Sequence, residues 1–300
     1  MLVFLNGRFV PEAQAVVSVF DRSFLYGDGL FEAVRICNGK PFRWTQHMER
    51  FLHGAGHLKV RPPFSPDEIQ KFATQLIQKN KMPEALLRLT LSRGVGLRGY
   101  SPKGADSPTF VMTLHPVFVF GAPNSGSARR HSPSRRADQE IGAPPLWNLV
   151  TASNRLPTNE PLALFKTANK LPQILARAEA DAAGGDEALL LNTDGRVVEG
   201  TTSNLFWVKR GTVCTPPLAA GILPGVTRVA VLEICRALAI PTREIAPRPE
   251  ELFSAQGVFM SMSSWGIVEA VELDGRNLRR AAPVKKIQRS YEKLLRDETA

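Results

Sequence analysis

Apolar and polar positions alternate with a period of two over several short stretches in the first third of the chain, separated by stretches of helical period. Residues 2–5 and 8–10 flank an Asn6-Gly7 turn and predict a β-hairpin. Residues 29–37 read as a strand, followed by a turn at 38–40 and a short strand over 41–44. Thr45 is placed to cap the next helix, whose inner face carries Met48, Phe51, Leu52 and Ala55. Ser65-Pro66-Asp67-Glu68 marks a second helix start, with proline at the first helical position. Residues 86–92 and 109–115 again alternate as strands. The pattern is that of an α+β fold.

Residues 121–145 break this periodicity with Pro, Ser, Gly and Arg, and read as a flexible interdomain loop. Periodicity then returns. Residues 149–152 predict a strand and 172–183 a helix. Strands at 189–191 and 197–199 flank Thr193-Asp194-Gly195, and strands at 205–208 and 212–214 flank Lys209-Arg210-Gly211. Val229, Val231, Leu232, Cys235 and Leu238 recur at helical spacing over 227–238. A strand over 258–262 and an amphipathic C-terminal helix complete the reading. The expected organisation is a small N-terminal α+β domain over 1–120, the loop over 121–145, and a larger C-terminal domain over 146–300.

Composition narrows the function classes. With 300 residues and 43% hydrophobic content the chain can bury a substantial core. A net charge of +10 raises nucleic acid as a partner. Much of the excess, however, falls in Arg129, Arg130, Arg135, Arg136 and in Arg279, Arg280, Lys285, Lys286, Arg289, without interleaved aromatics to stack bases. Solvated faces are the expectation, and nucleic-acid binding is not. The three cysteines, Cys37, Cys214 and Cys235, lie far apart and suit a reducing compartment. With no leader-like or membrane-length apolar segment in the sequence, the expected location is the cytoplasm.

Four features carry candidate chemistry. Gly94-Val95-Gly96-Leu97-Arg98-Gly99 matches a dinucleotide fingerprint, but Tyr100-Ser101-Pro102 follows where a helix must start, so it is not one. As a Gly-rich loop bearing Arg93 and Arg98 it is a candidate carboxylate clamp. His47, His53 and His57 share a helix without a third metal ligand or a general base, and read as packing or surface residues; no metal is expected. Gly225-Val226-Thr227-Arg228 places backbone N–H groups and a hydroxyl at a helix N-terminus, which suits either an anion or a plain cap. Lys166 follows Leu162, Ala163, Leu164 and Phe165, a setting that can desolvate an amine, and Glu199 ends an apolar strand, where an acid needs a partner.

In their order these residues resemble the class IV, fold-type IV pyridoxal phosphate enzymes, which include branched-chain and D-amino-acid aminotransferases and 4-amino-4-deoxychorismate lyase. The resemblance rests on Lys166-x-x-Asn169-x-Leu171, on Glu199-x-Thr201-x-x-Asn204-Leu205-Phe206, on Thr215-Pro216 and on Leu223-x-Gly225-Val226-x-Arg228. It extends upstream to the segment Tyr26-Gly27-Asp28-Gly29-Leu30-Phe31-Glu32 and to His47-x-x-Arg50. It implies a small α+β domain, a larger domain with a β-barrel-like core, the cofactor between them, and a homodimer that shares active-site loops. It implies Lys166 as the Schiff-base lysine and Glu199 as partner of the pyridine nitrogen. Arg50, Val226, Thr227 and Ser263 would hold the phosphate, and Tyr26 and Arg98 would line the substrate side.

The expected activity is transfer of an amino group between an amino acid and a 2-oxo acid. Arg93-Gly94-x-Gly96-x-Arg98-Gly99-Tyr100-Ser101 resembles the corresponding loop of the lyases. Ala33, where those enzymes commonly carry threonine, weighs against elimination, and Lys170 departs from the tyrosine typical of branched-chain enzymes. Release of pyruvate from aminodeoxychorismate is the first alternative. A catalytically silent protein that kept the fold is the second, opposed by the intact Lys166 and Glu199.

Overall fold

The computed structural model describes residues 1–117 and 145–300, so residues 121–144 of the expected loop lie outside the described residues. The chain groups into two compact units: Met1–Val117 with Phe165–Asn169 and Arg296–Ala300, and residues 145–164 with Lys170–Leu295. Lys166, which the sequence reading placed in the C-terminal domain, lies in a segment that packs with the first unit.

In the first unit, β1 (Leu2–Leu5), β2 (Arg8–Pro11), β3 (Gly29–Cys37), β4 (Lys40–Pro41), β5 (Ala85–Ser92) and β6 (Thr109–His115) form one antiparallel sheet in the order β2-β1-β6-β5-β3-β4. Three helices accompany it: α1 (Arg22–Tyr26), α2 (Trp44–Leu58) and α3 (Pro66–Asn80). Strand alternation gives the sheet two unlike faces. Leu30, Val34, Ile36, Leu87, Leu89, Leu91, Phe110, Met112 and Leu114 are buried in one core with Met48 and Phe51 of α2 and Ile69 and Leu76 of α3. Phe31, Ala33, Arg88 and Thr90 occupy the alternate positions, with Ala33 paired to Arg88 and Phe31 to Thr90.

The hairpin, β3 and β6 form where the sequence puts them, and α3 opens with a reciprocal capping box between Ser65 and Glu68. Thr45 does not cap α2. That helix starts at Trp44, and Arg43 is its N-cap, with φ 55° and no side-chain cap bond; Thr45 is already inside the first turn. The early start also ends β4 at Pro41, short of the 41–44 expected.

The segment Phe165–Asn169 adds to the sheet along β3. Phe31 N–H donates to Lys166 O (2.9 Å), Ala168 N–H donates to Gly29 O (2.8 Å), and Leu30 bridges Thr167. Phe165 is buried beneath two exposed histidines of α2, His57 stacked on it at 4.2 Å and His53 edge-on at 5.2 Å. These are the packing roles expected of that pair.

The second unit holds β7 (Leu146–Leu156), α4 (Leu171–Ala182), β8 (Glu187–Asn192), β9 (Val197–Gly200), β10 (Asn204–Lys209), β11 (Thr212–Thr215) and α5 (Val226–Ala237). It continues through β12 (Thr242–Glu244), α6 (Pro249–Leu252), β13 (Gly257–Met262), β14 (Gly266–Leu273), β15 (Arg276–Asn277) and α7 (Ala282–Glu298). Its nine strands make one mixed sheet, ordered β12-β11-β10-β13-β14-β7-β8-β9 with β15 on β14. Leu205, Trp207, Val258, Met260, Val268 and Ala270 form its central core. Glu199 lies in β9 and Asn204 opens β10 across a tight turn, while Gly225 ends the connection between β11 and α5.

Candidate active site

Alternation along β3 turns Glu32 into the apolar core, where an acid must be paired. It is 0% exposed and fully partnered. Arg50 donates to it as a fork, Nε to Oε1 at 2.7 Å and Nη2 to Oε2 at 2.8 Å, and buried His47 donates from Nδ1 to Oε2 at 2.8 Å. Burial alone would raise the Glu32 pKa, but the Arg50 charge and the His47 bond overcome it and hold the carboxyl far below the ordinary range. Burial, the Arg50 charge and the Lys166 charge together push His47 below its usual value against the pull of Glu32, so the ring is neutral at pH 7 and carries its proton on Nδ1. The acid thus orients the guanidinium plane of Arg50.

Glu32→Gln removes the carboxylate onto which Arg50 forks, and is expected to cost about 3–5 kcal/mol in denaturant unfolding at pH 7. Because the folded pKa is depressed, this stability is complete above the unfolded value of about 4.3. It is lost as pH falls from there toward the folded value. The gap between wild type and variant should therefore begin to narrow below about pH 4. A gap that is constant between pH 3 and 7 would contradict this pairing.

On the opposite face of β3, Phe31 carries two cations. Lys166 Nζ lies 4.6 Å from its ring centroid, and the Arg88 guanidinium carbon lies 3.8 Å from the same centroid. Arg88 sits in mid-strand on β5, and burial pushes its pKa down. The sequence reading missed Arg88, because one arginine in Leu-Leu-Arg-Leu-Thr-Leu looks like an ordinary outward-facing position. It missed Glu32 for a different reason, since the acid on the apolar side of β3 was a visible signal left unused.

The Gly-rich loop is not a clamp with two arginines. Arg93 pairs with Asp28 at 2.7 and 3.0 Å and donates to the α2 C-terminal carbonyls of Leu58 and Lys59. Burial raises the Asp28 pKa, yet Arg93 and Arg22 hold it below the usual range. Arg22 pairs with Asp28 at 2.8 Å and ties down the carbonyls of Gly99, Tyr100 and Ser101. Gly94 is required by packing: its φ is +88°, and a Cβ there would fall 1.9 Å from Ser107 O. Arg98 remains exposed on this loop, and Tyr26 accepts Gly99 N–H at its hydroxyl (3.2 Å). The structure thus puts Tyr26 against the loop that carries Arg98.

In the second unit Glu199, Asn204 and the start of α5 come together. Glu199 Oε2 accepts Leu223 N–H (2.9 Å) and Asn204 Nδ2 (3.4 Å), and Asn204 Nδ2 also donates to Leu223 O (3.0 Å). Gly225, the N-cap of α5, provides no side-chain cap, and a Cβ there would lie 2.0 Å from Asn204 Oδ1. Val226 and buried Thr227 follow as the first helical residues. Arg228 turns away, to Pro216 O and Glu244 at 3.0 Å each. Ser263 stands just past β13, whose Ser261 pairs with Asn204. Lys170, the N-cap residue of α4, has its amine pushed down by burial against an opposing pull from Glu199.

An uncapped helix start with a buried hydroxyl fits a phosphate. An acid fixed by a backbone N–H fits a protonated ring nitrogen. The residues present therefore suit pyridoxal phosphate. Among the described residues no group of His, Cys, Asp and Glu has metal-site geometry, and no helix is long and apolar enough to cross a membrane.

Comparison with known proteins agrees with this geometry. A family model described as amino-transferase class IV matches residues 29–273. The chain is 34% identical over 276 residues to a putative branched-chain-amino-acid aminotransferase of Methanocaldococcus jannaschii, covering 92% of this chain and 89% of the relative. It is 26% identical to the D-alanine aminotransferase of Bacillus licheniformis, covering 100% and 99%. The fold matches the branched-chain aminotransferase of Thermoproteus uzoniensis, solved with norvaline, at a TM-score of 0.85 and 30% identity, covering 99% and 95%. It matches a putative 4-amino-4-deoxychorismate lyase of Legionella pneumophila at 0.81 and 26%, covering 94% and 97%. A branched-chain amino acid aminotransferase of T.th., complexed with N-(5'-phosphopyridoxyl)-L-glutamate, matches at 0.83 and 25%, covering 98% and 94%.

Proposed function

The chain belongs to the class IV aminotransferases, pyridoxal phosphate enzymes of fold-type IV, and on that premise we propose that it transfers an amino group between an amino acid and a 2-oxo acid with the cofactor on Lys166. The observation that carries the reading is the shared aromatic of the first unit. The Lys166 amine and the Arg88 guanidinium both lie over Phe31, so a reactive amine stands beside a cation able to receive a carboxylate.

When bound, pyridoxal phosphate supplies the electron sink for charge developing on the substrate Cα. Lys166 Nζ would move the proton between that Cα and the C4′ carbon of the cofactor. Glu199, held by Leu223 N–H, keeps a proton on the ring nitrogen. The backbone N–H groups of Val226 and Thr227, the Thr227 and Ser263 hydroxyls, and Arg50 oriented by Glu32 hold the phosphate. Tyr26 and Arg98 line the substrate side, and Arg88 joins them as a carboxylate-binding cation. We place the enzyme as a homodimer, because Phe20, Phe24, Leu97 and Tyr100 are 65–87% exposed around α1 and the Arg98 loop, a patch that a second copy would cover. Its three buried free cysteines suit the cytoplasm.

The lyase reading is kept as a second one, favoured by the likeness of the Arg93–Ser101 loop sequence and opposed by Ala33, which has no hydroxyl to offer opposite Arg88. A half-reaction separates the two. Cofactor-loaded enzyme mixed with an amino acid and no acceptor should convert its absorbance to that of the pyridoxamine form. Release of an aromatic amine from aminodeoxychorismate without such conversion would replace transamination by elimination. Arg88→Leu should raise KM for the amino acid by about 10- to 100-fold, the worth of a hydrogen bond to a charged group. An unchanged KM would remove Arg88 from the site.

A further inference from the structure

Outside the residues placed in the site, the carboxylate of Glu187, at the start of β8 and 0% exposed, gathers six hydrogen bonds. Its partners are neutral. Oε1 accepts Ala188 N–H (2.9 Å), Thr201 N–H (3.1 Å) and the Thr201 hydroxyl. Oε2 accepts Thr202 N–H (3.2 Å), the Thr202 hydroxyl (2.9 Å) and the Ser203 hydroxyl (3.2 Å). Five of these six donors belong to the connection between β9 and β10, which closes on itself through Gly200 N–H to Ser203 O at 2.7 Å.

That connection has little room to move. A Cβ at Gly200 would lie 2.4 Å from Ser203 Oγ and 3.2 Å from Glu187 Cδ. Glu199 stands immediately before it and Asn204 immediately after, and both side chains converge on Leu223, two residues ahead of Gly225. Only an ionised carboxyl offers enough lone pairs, and no competing N–H, to accept this set of donors. A glutamine would turn an NH2 group toward three of them.

We infer that Glu187 is a positioning residue for the cofactor: its carboxylate fixes residues 200–203 and thereby the direction of Glu199 and Asn204. The inference rests on the proposed role of Glu199 at the ring nitrogen. Glu187 touches neither cofactor nor substrate; it acts through the turn. The hydroxyls of the turn go to Glu187, and the Leu223 N–H goes to Glu199.

The test compares wild type, Glu187→Gln and Thr202→Val, each below its own unfolding transition. Three quantities are read: pyridoxal phosphate Kd by titration of the apoprotein, the pH titration of the bound cofactor's visible band, and Tm of the apoprotein. Glu187→Gln is expected to weaken cofactor binding about tenfold, the usual scale for an outer partner of a binding residue, and to move the pH titration of the band. Thr202→Val should move both in the same direction by less. Variants with lowered Tm but wild-type Kd and wild-type pH titration would overturn the inference and leave Glu187 purely structural. If Glu187→Gln does not fold, Thr202→Val and Ser203→Ala decide on the same readouts. A wild type that takes up no cofactor overturns the proposed function itself, an outcome recognised before any variant is compared.

Discussion

Lys166→Ala is expected to lose turnover by a factor on the order of 10⁵, the scale seen when a covalent catalytic group is removed from an otherwise intact site. The loss follows from what no neighbour can replace. The segment carrying Lys166 is anchored to β3 by two backbone hydrogen bonds, one at Lys166 O and one at Ala168 N–H, and Lys166 Nζ lies over Phe31 at 4.6 Å. Lys170, half-buried as the N-cap of α4 in the second unit, feels Glu199 instead. The variant should keep its fold, since the anchoring bonds are made by the backbone. It should still take up the cofactor through the phosphate contacts, but without the visible band of the lysine-bound form. Retained turnover within a factor of ten of wild type would assign the chemistry to another amine.

Glu199→Gln is the second large effect. A glutamine can still accept Leu223 N–H at its carbonyl oxygen, so the local hydrogen bond and the turn survive. The negative charge does not. Without it the ring nitrogen is no longer held protonated, and charge developing on the substrate Cα is less well stabilised. The expected cost is about 10²–10³ in kcat, comparable to deleting one preorganised electrostatic contact, with a much smaller change in KM. Lys170 should respond as well, since Glu199 opposes the downward push of burial on its amine; its pKa should fall further in the variant. A variant with wild-type kcat would remove Glu199 from the ring nitrogen.

How far these residues could be found from sequence depended on whether their partners were near in the chain. The hairpin at Asn6-Gly7, the capping box at Ser65 and Glu68, and the helix start after Gly225 are local signals, and each is formed. Thr45 shows where local logic fails, because Arg43 takes a left-handed conformation and caps the helix two residues earlier. Long-range pairing was out of reach. Nothing in Phe165 to Asn169 announces that it will extend a sheet edge begun at Gly29, yet that pairing puts Lys166 over Phe31. Likewise Arg93 reads as a substrate-binding arginine until Asp28 and the end of α2 are seen to occupy it.

A common pattern runs through the buried acids. Glu32 and Glu187 are both fully buried, one met by the Arg50 guanidinium and the His47 ring and the other by hydroxyls and backbone N–H groups. Each fixes a residue proposed to face the cofactor, Arg50 in one case and Glu199 in the other. In sequence they are single acids inside apolar strands. Their need for partners is legible there, and the identity of those partners is not.

The proposed chemistry stands on Lys166 carrying the cofactor. Reduction of the cofactor-loaded enzyme with borohydride makes the link between amine and pyridoxal phosphate permanent, and peptide mass analysis then locates it. The added mass is expected on the peptide at Lys166, with Lys170 unmodified. Modification at Lys170, or of no lysine in a protein that has taken up the cofactor, would contradict it.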